Sequence, residues 1–312
     1  MRRKHKKLFG IVLSLTLLLA GCSQPAANTD STKDKLEVVA TTTMLADLSR
    51  IIGGEAVTVS GLMGPGIDPH LYQASAGDVT LMQEAEVVVY NGLHLEGKMG
   101  EIFENLTRLD VYVLCIEDGI DKSMLLVSED DAQVYDPHIW FDVAIWKQAA
   151  QAVAEGFQEA DPGNSGEYGT NLENYLKELD ELEEYIRERS LELPEEQRVL
   201  VTAHDAFQYF GKAYGFEVRG LQGISTDAEA GTADVSALAE FIAERRIKAI
   251  FVESSVPPKT IEALQAAVQS KGFDVVIGGE LYSDSLGDET SGDGTYILTF
   301  RSNIDTIVDA LK

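Results

Sequence analysis

The sequence predicts an α/β protein with two parallel-sheet α/β lobes joined by one long backbone helix. Three observations carry that expectation. Short apolar runs alternate with helical patterns on both sides of the middle of the chain, as in βαβ units that build parallel sheets. From about Glu167 to Glu192, Leu172, Leu176, Leu179, Leu182 and Ile186 recur at three- and four-residue steps, with charged residues filling most other positions. That run starts after the breaker-rich Asp161-Pro162-Gly163-Asn164-Ser165-Gly166 and ends before Pro194. At 1.5 Å per residue it makes a helix of roughly 40 Å, about the width of a small domain. His70 and His138 precede it and His204 follows it, which suits a rigid spacer between lobes that share a site.

At the amino terminus, Met-Arg-Arg-Lys-His-Lys-Lys is basic, and the apolar run Leu8 to Ala20 is too short for a comfortable membrane span. This is the shape of a secretory signal. Leu19-Ala20-Gly21-Cys22 closes it and resembles the lipobox of bacterial lipoproteins, which implies cleavage before Cys22 and lipid on its sulfur. The expected division is a signal peptide at 1–21, a small and polar tether at 22–35, an N-terminal lobe at 36–163, the linking helix at 164–193 and a C-terminal lobe at 194–312. Losing residues 1–21 removes five Lys/Arg and no acid, taking the formal charge from −27 to −32. So acidic a protein is a poor partner for nucleic acid and attracts cations in general, although acidic surfaces usually serve solubility. Cys22 and Cys115 are the only cysteines. Once Cys22 carries lipid, neither an internal disulfide nor a thiolate metal site remains, and Cys115 in the run Val111–Ile116 is expected to be a buried core thiol.

Four strand-like runs precede the long helix: Leu36–Thr42, Val57–Met63, Glu86–Gly92 and Val111–Ile116. Helical patterns lie between them, the clearest marked by Leu45, Leu48, Ile51 and Ile52. Four more runs follow the long helix: Arg198–Ala203, Glu217–Gly223, Ala249–Glu253 and Asp274–Gly279, with helices at Ala237–Ile247 and Ile261–Lys271. Two sets of four strands are therefore expected. Thr295–Phe300 has strand propensity but runs into the helical pattern Ile304, Ile307, Val308, Leu311. The loop Ile120–Gln133 is acidic, irregular and without histidine, and Gly287–Gly294, which lacks the closing Glu of a calcium loop, reads as a solvated surface turn.

Four histidines remain after the signal is removed, and two sit in one tripeptide, Asp68-Pro69-His70 and Asp136-Pro137-His138. Proline fixes its own φ and drives its predecessor towards extended geometry, so each tripeptide is a stiff mount for an imidazole, and its aspartate is placed to orient the ring. His70 follows Val57–Met63 through a Gly-Pro-Gly turn, and His204 follows Val199-Leu200-Val201-Thr202-Ala203. Ligands of open parallel sheets bind outside the carboxyl ends of the strands. A transition-metal site usually needs one more donor, and spacing alone leaves Glu280, Asp284 and Glu253 as candidates.

Gly66-Ile67-Asp68-Pro69-His70, Asp136-Pro137-His138-Ile139-Trp140, Thr202-Ala203-His204-Asp205-Ala206-Phe207 and Glu280-Leu281-Tyr282-Ser283-Asp284 occur in this order. Together they resemble the TroA-like family of metal-binding lipoproteins, the substrate-binding receptors of bacterial ABC importers for zinc and manganese. The resemblance runs from roughly Leu36 to the C-terminus. It implies that His70, His138, His204 and Asp284 hold the metal, two from each lobe, and that the stretch around His94 is structural. Glu253 then becomes a strand-end residue beside the cleft. Zinc-specialised relatives often carry a His-rich loop, absent from Ile120–Gln133, whereas manganese-specialised relatives usually have glutamate in the place of His204. Three imidazoles favour zinc, so the bound ligand is expected to be Zn2+ or Mn2+.

The implied function is not enzymatic. It is high-affinity extracytoplasmic capture of a divalent metal by a monomer tethered to the cell membrane through its N-terminal lipid, with delivery to an ABC permease. The rivals are a zinc-dependent hydrolase and a surface adhesin with a structural metal. A hydrolase keeps an open metal position for water, typically beside three protein ligands, and no His-Glu-x-x-His helix is present.

Overall fold

The structure, a computed structural model, describes residues 35–128, 133–288 and 290–312. The expected signal, Cys22 and nearly all of the tether lie outside the described residues, as do 129–132 of the acidic loop. Among the described residues no helix is long and apolar enough to cross a membrane.

The first half is built from β1 (Leu36–Ala40), α1 (Thr43–Gly53), β2 (Val57–Gly61), α2 (Ala76–Glu84), β3 (Val87–Tyr90), α3 (Gly100–Arg108) and β4 (Tyr112–Cys115). The strands form one parallel sheet in the order β2-β1-β3-β4. Ala40 is level with Gly61 on one side and Val89 on the other, so the carboxyl ends share one edge. The helices start where side chains satisfy their free N–H groups: Thr42 accepts from the Leu45 amide, and Ser75 and Asp78 form a reciprocal box ahead of α2. α4 (Val143–Ala160), for which the sequence reading had no counterpart, packs its alanine-rich face against α1 and the long helix.

The long helix, α5, runs from Ser165 to Leu191. Its buried stripe is Tyr168, Tyr175, Leu179, Leu182, Ile186 and Ser190, while Leu172 and Leu176 are only half-buried. The tyrosines displace these leucines because their hydroxyls find partners, Asp161 for Tyr168 and the Trp146 indole N–H for Tyr175. Near its start α5 is bonded to the first half by Asn171 Nδ2 donating to Ile52 O at 3.0 Å. Near its end, Arg189 bonds Asp305 and Asp309, both at 2.7 Å.

The second half contains β5 (Val199–His204), α6 (Gln208–Tyr214), β6 (Glu217–Gln222), α7 (Thr232–Arg245), β7 (Ala249–Glu253), α8 (Lys259–Ser270), β8 (Val276–Leu281) and α9 (Tyr296–Leu311). One expectation is corrected here and one open choice is decided. The second four strands form two parallel pairs, β5-β6 and β7-β8, rather than one ladder. Residues 296–311 are helical despite the β-branched start, because Thr295 caps the helix from outside and Tyr296, Phe300, Ile304, Ile307 and Val308 bury one face. Trp146 stacks on Tyr296 with ring centroids 4.9 Å apart, locking α4 to α9. Gly220 is required: a Cβ there would lie 2.5 Å from the Asp205 amide nitrogen, in the chain just after His204. Cys115 is half-buried at the end of β4 rather than in the core. It borders a cavity of about 570 Å³ also lined by His94 and Glu117, and burial pushes its thiol up to about 11.

Candidate metal centre

Each predicted histidine stands at a strand's carboxyl end or on a stiff loop beyond one. His204 is the last residue of β5, Glu253 the last of β7, and Asp284 lies three residues past β8. His70 sits on the turn that follows β2, and His138 on the loop that runs into the 3-10 turn Ile139–Phe141 ahead of α4. The structure brings His70, His138, His204 and Asp284 together, with one donor atom from each lying within 4.8 Å of all the others. The other carboxylate candidate, Glu280, is exposed on β8. Glu253 is at the site but holds a histidine.

Nε2 of His138 is 3.3 Å from Nε2 of both His70 and His204. The Asp284 carboxylate faces two rings at once, Oδ1 lying 3.5 Å from His138 Nε2 and Oδ2 lying 3.4 Å from His204 Nε2. Four donors held tetrahedrally around a zinc-sized ion at ~2.0–2.1 Å stand about 3.3 Å apart, so the edges made by His138 and His204 match such a cage, and the remaining donors lie within 4.8 Å. The tautomers agree with it. Asp136 Oδ1 is 2.7 Å from His138 Nδ1 and Glu253 Oε2 is 2.5 Å from His204 Nδ1, so in the neutral ring each outer nitrogen carries the hydrogen and each Nε2 keeps its lone pair facing inward. Among the described residues Asp284 Oδ1 is buried without a hydrogen-bond partner, whereas Oδ2 accepts from Ser255 Oγ at 3.1 Å. Lone pairs converging on a dry point repel one another until a cation lies among them.

The electrostatics favour that cation. Burial pushes His70 down to about 3, so its ring is neutral over the physiological range. Burial also works downwards on His204, but the Glu253 carboxylate and then Asp284 outweigh it and hold the imidazole well above its ordinary value. Burial alone would raise Asp284, yet the His204 charge and hydrogen bond outweigh it and hold the carboxyl below the usual carboxylate range. Without metal, the Glu253 and Asp284 carboxylates favour a proton on His204, and an arriving divalent ion must expel it.

The two Asp-Pro-His mounts differ, which corrects the expectation that both aspartates orient their rings. Asp136 Oδ1 bonds both the ring and the backbone N–H of His138. Asp68 Oδ1 bonds only the backbone N–H of His70, at 2.9 Å, and its Oδ2 accepts from Thr226 Oγ1 at 2.6 Å. Other supports were not singled out in the sequence. Trp140 Nε1 donates to Ser283 O at 2.9 Å, tying the His138 segment to the Asp284 loop. Behind His138, Asn91 Nδ2 donates to Pro137 O, and buried Glu96 accepts from the amides of Asn91 and Gly92. The stretch around His94 is thus structural, although the His94 side chain itself is exposed. Glu253 was visible as a strand-end carboxylate, but its role depends on β5 and β7 lying side by side, which sequence separation hides.

Residues 38–310 match the family model described as zinc-uptake complex component A, periplasmic. The chain belongs to this family. It is 47% identical over 308 residues to the zinc-binding protein TroA of Treponema pallidum (strain Nichols), covering 98% of this chain and 99% of that protein. It is 43% identical over 305 residues to the manganese-binding lipoprotein MntA of Bacillus subtilis (strain 168), covering 98% and 99%. The solved structure of periplasmic zinc-binding protein TroA from Treponema pallidum superposes with a TM-score of 0.86 at 49% identity, covering 89% of this chain and 99% of that one. The two-lobe α/β architecture is therefore that of the family's metal receptors.

Proposed function

We propose that this protein is the extracytoplasmic receptor of a bacterial ABC importer, capturing one divalent transition metal ion and delivering it to the permease. The observation that carries this reading is the buried cage of His70, His138, His204 and the Asp284 carboxylate, one donor from each within 4.8 Å of the others, in a chain of the zinc-uptake receptor family. Relatives named for zinc and for manganese match it almost equally well, so kinship does not choose the metal. The donor set does. Three imidazoles and one carboxylate suit zinc better than manganese, and the general affinity order of divalent ions points the same way. Zinc is held more tightly, with manganese an acceptable second cargo.

The cage draws two donors from residues 36–163 and two from residues 194–312, so neither half holds a complete shell. A helix bonded to both halves limits loading and release to small shifts about residues 164–193, with local loop motion. Cys22 carries lipid that tethers a monomer to the outer face of the cell membrane, and relatives described as lipoproteins support that reading. Cys22→Ala should leave unprocessed or released protein. Four protein donors can close the shell without a water, which favours a receptor over a hydrolase. The deciding experiment is metal accumulation in a deletion strain complemented with wild type or His204→Ala. Restoration by wild type alone supports the receptor. An unchanged metal content in the deletion strain removes the import role and leaves the adhesin reading.

A further inference from the structure

We propose that Thr226 is a positioning residue for the metal cage, completing the mount of His70 from the other side of the cleft. The inference rests on the receptor reading above and deepens it.

It starts from the inequality of two identical tripeptides. The His138 mount is self-contained: the Asp136 carboxylate holds ring and backbone of the same histidine. The His204 ring has an equivalent anchor in Glu253. Among the described residues no carboxylate holds the outer nitrogen of His70, which at 5% exposure is the most open of the four donors. Its orientation depends on the Asp68 carboxylate gripping the His70 backbone N–H, and that carboxylate is in turn fixed by Thr226 Oγ1 at 2.6 Å. Thr226 is 158 residues away, on the loop 223–231 between β6 and α7. The same loop makes a second bond across the cleft, Asp227 with Lys98 Nζ at 3.0 Å.

Chemistry separates these two bonds. Lys98 and Asp227 are substantially exposed, and such pairs contribute little. Thr226 is nine-tenths buried and donates to a carboxylate, a stronger charge-assisted bond. Asp68 and Thr226 both line a cavity of about 490 Å³ bordered by Leu71, Gln222, Val256 and Pro257, so their bond lies along its wall. When the loop lies against the His70 turn, Asp68 is locked and His70 is aimed at the cage. When the loop moves away, Asp68 loses one of its two partners and the ring is free to swing. The grip on the metal is thereby made conditional on closure of the cleft.

The test is stopped-flow release of Zn2+ to a chromophoric chelator, with association measured separately, on purified wild-type, Thr226→Val, Thr226→Ser and Asp227→Asn proteins. Thr226→Val preserves shape and removes the donor. It should release zinc about tenfold faster, with association changed by less than about twofold. Thr226→Ser, which restores the hydroxyl, should return release to near the wild-type rate, and Asp227→Asn should leave it there. Three results would overturn the proposal: wild-type release from Thr226→Val, release from Thr226→Ser as fast as from Thr226→Val, or equal acceleration by Asp227→Asn, which would make loop attachment alone the cause. A wild-type protein that binds no zinc would instead overturn the receptor reading itself.

Discussion

Replacing Glu253 with glutamine removes one oxygen's acceptor capacity and one charge while keeping the shape. Glu253 uses both oxygens on one residue: Oε1 accepts the His204 backbone N–H at 2.8 Å and Oε2 faces the ring Nδ1 at 2.5 Å. The amide offers a single acceptor. Turned one way, its NH2 opposes the backbone N–H and that buried donor is orphaned. Turned the other way, its NH2 donates to Nδ1 and moves the ring hydrogen to Nε2, the atom that must face the metal. Either loss falls in the range of a charged hydrogen bond, ~1.5–3 kcal/mol, and outer partners of ligating histidines typically contribute 10–100-fold in metal affinity. Glu253→Gln should therefore weaken zinc binding about 10–100-fold in competition with a chelator of known affinity. It should also reduce the proton release accompanying binding, because the carboxylate that holds His204 protonated is gone. Zinc affinity within about twofold of wild type, with proton release unchanged, would refute the orienting role.

Three further outcomes follow from the same geometry. His204→Ala should abolish most of the zinc-induced rise in melting temperature, which at a thousandfold excess over Kd reflects about 4 kcal/mol, whereas His94→Ala should keep it; scanning calorimetry with and without zinc reads both. Zinc affinity should fall with acidity by about one decade per pH unit below the raised pKa of His204, since one proton must leave on binding. His70, pushed down to about 3, should add nothing to that slope near neutrality, and calorimetric titration in buffers of different ionisation enthalpy counts the protons. The third concerns Asp47, which accepts the Tyr296 amide N–H and which burial raises to about 6. The folded state then binds this proton more tightly than the unfolded chain, so the contribution is full below about pH 4 and is lost as pH rises through about 6, ~2–3 kcal/mol in all. Asp47→Asn keeps the acceptor and should remove that decline in urea midpoints between pH 4 and 6; an identical decline in both proteins would assign it to other groups.

How much of this was legible beforehand follows from range. The α/β alternation, the long helix and the two Asp-Pro-His mounts are local patterns, and local patterns survive in a single sequence. The carboxylate was not local. Glu280, Asp284 and Glu253 cluster in or after strands, and which one reaches the cage depends on where β8 ends and on a register shift between Ile250 and Phe251. Spacing left the three open, and resemblance to a family chose Asp284. Thr295–Phe300 stayed ambiguous because β-branched residues suit strands, while the stacking of Tyr296 on Trp146 that favours the helix is tertiary. The inequality of the two mounts was invisible for the same reason: Asp68 and Asp136 open the same Asp-Pro-His tripeptide, and the Thr226 partner of Asp68 is 158 residues away.

The central claim is that one ion sits among four named donors. A crystal structure of the zinc-loaded protein, with anomalous scattering recorded at the zinc edge, tests it directly. The account predicts one peak per chain, ~2.0–2.2 Å from the Nε2 atoms of His70, His138 and His204 and from the Asp284 carboxylate. A peak elsewhere, such as in the cavity beside His94 and Glu117, or two fully occupied peaks per chain, would contradict it.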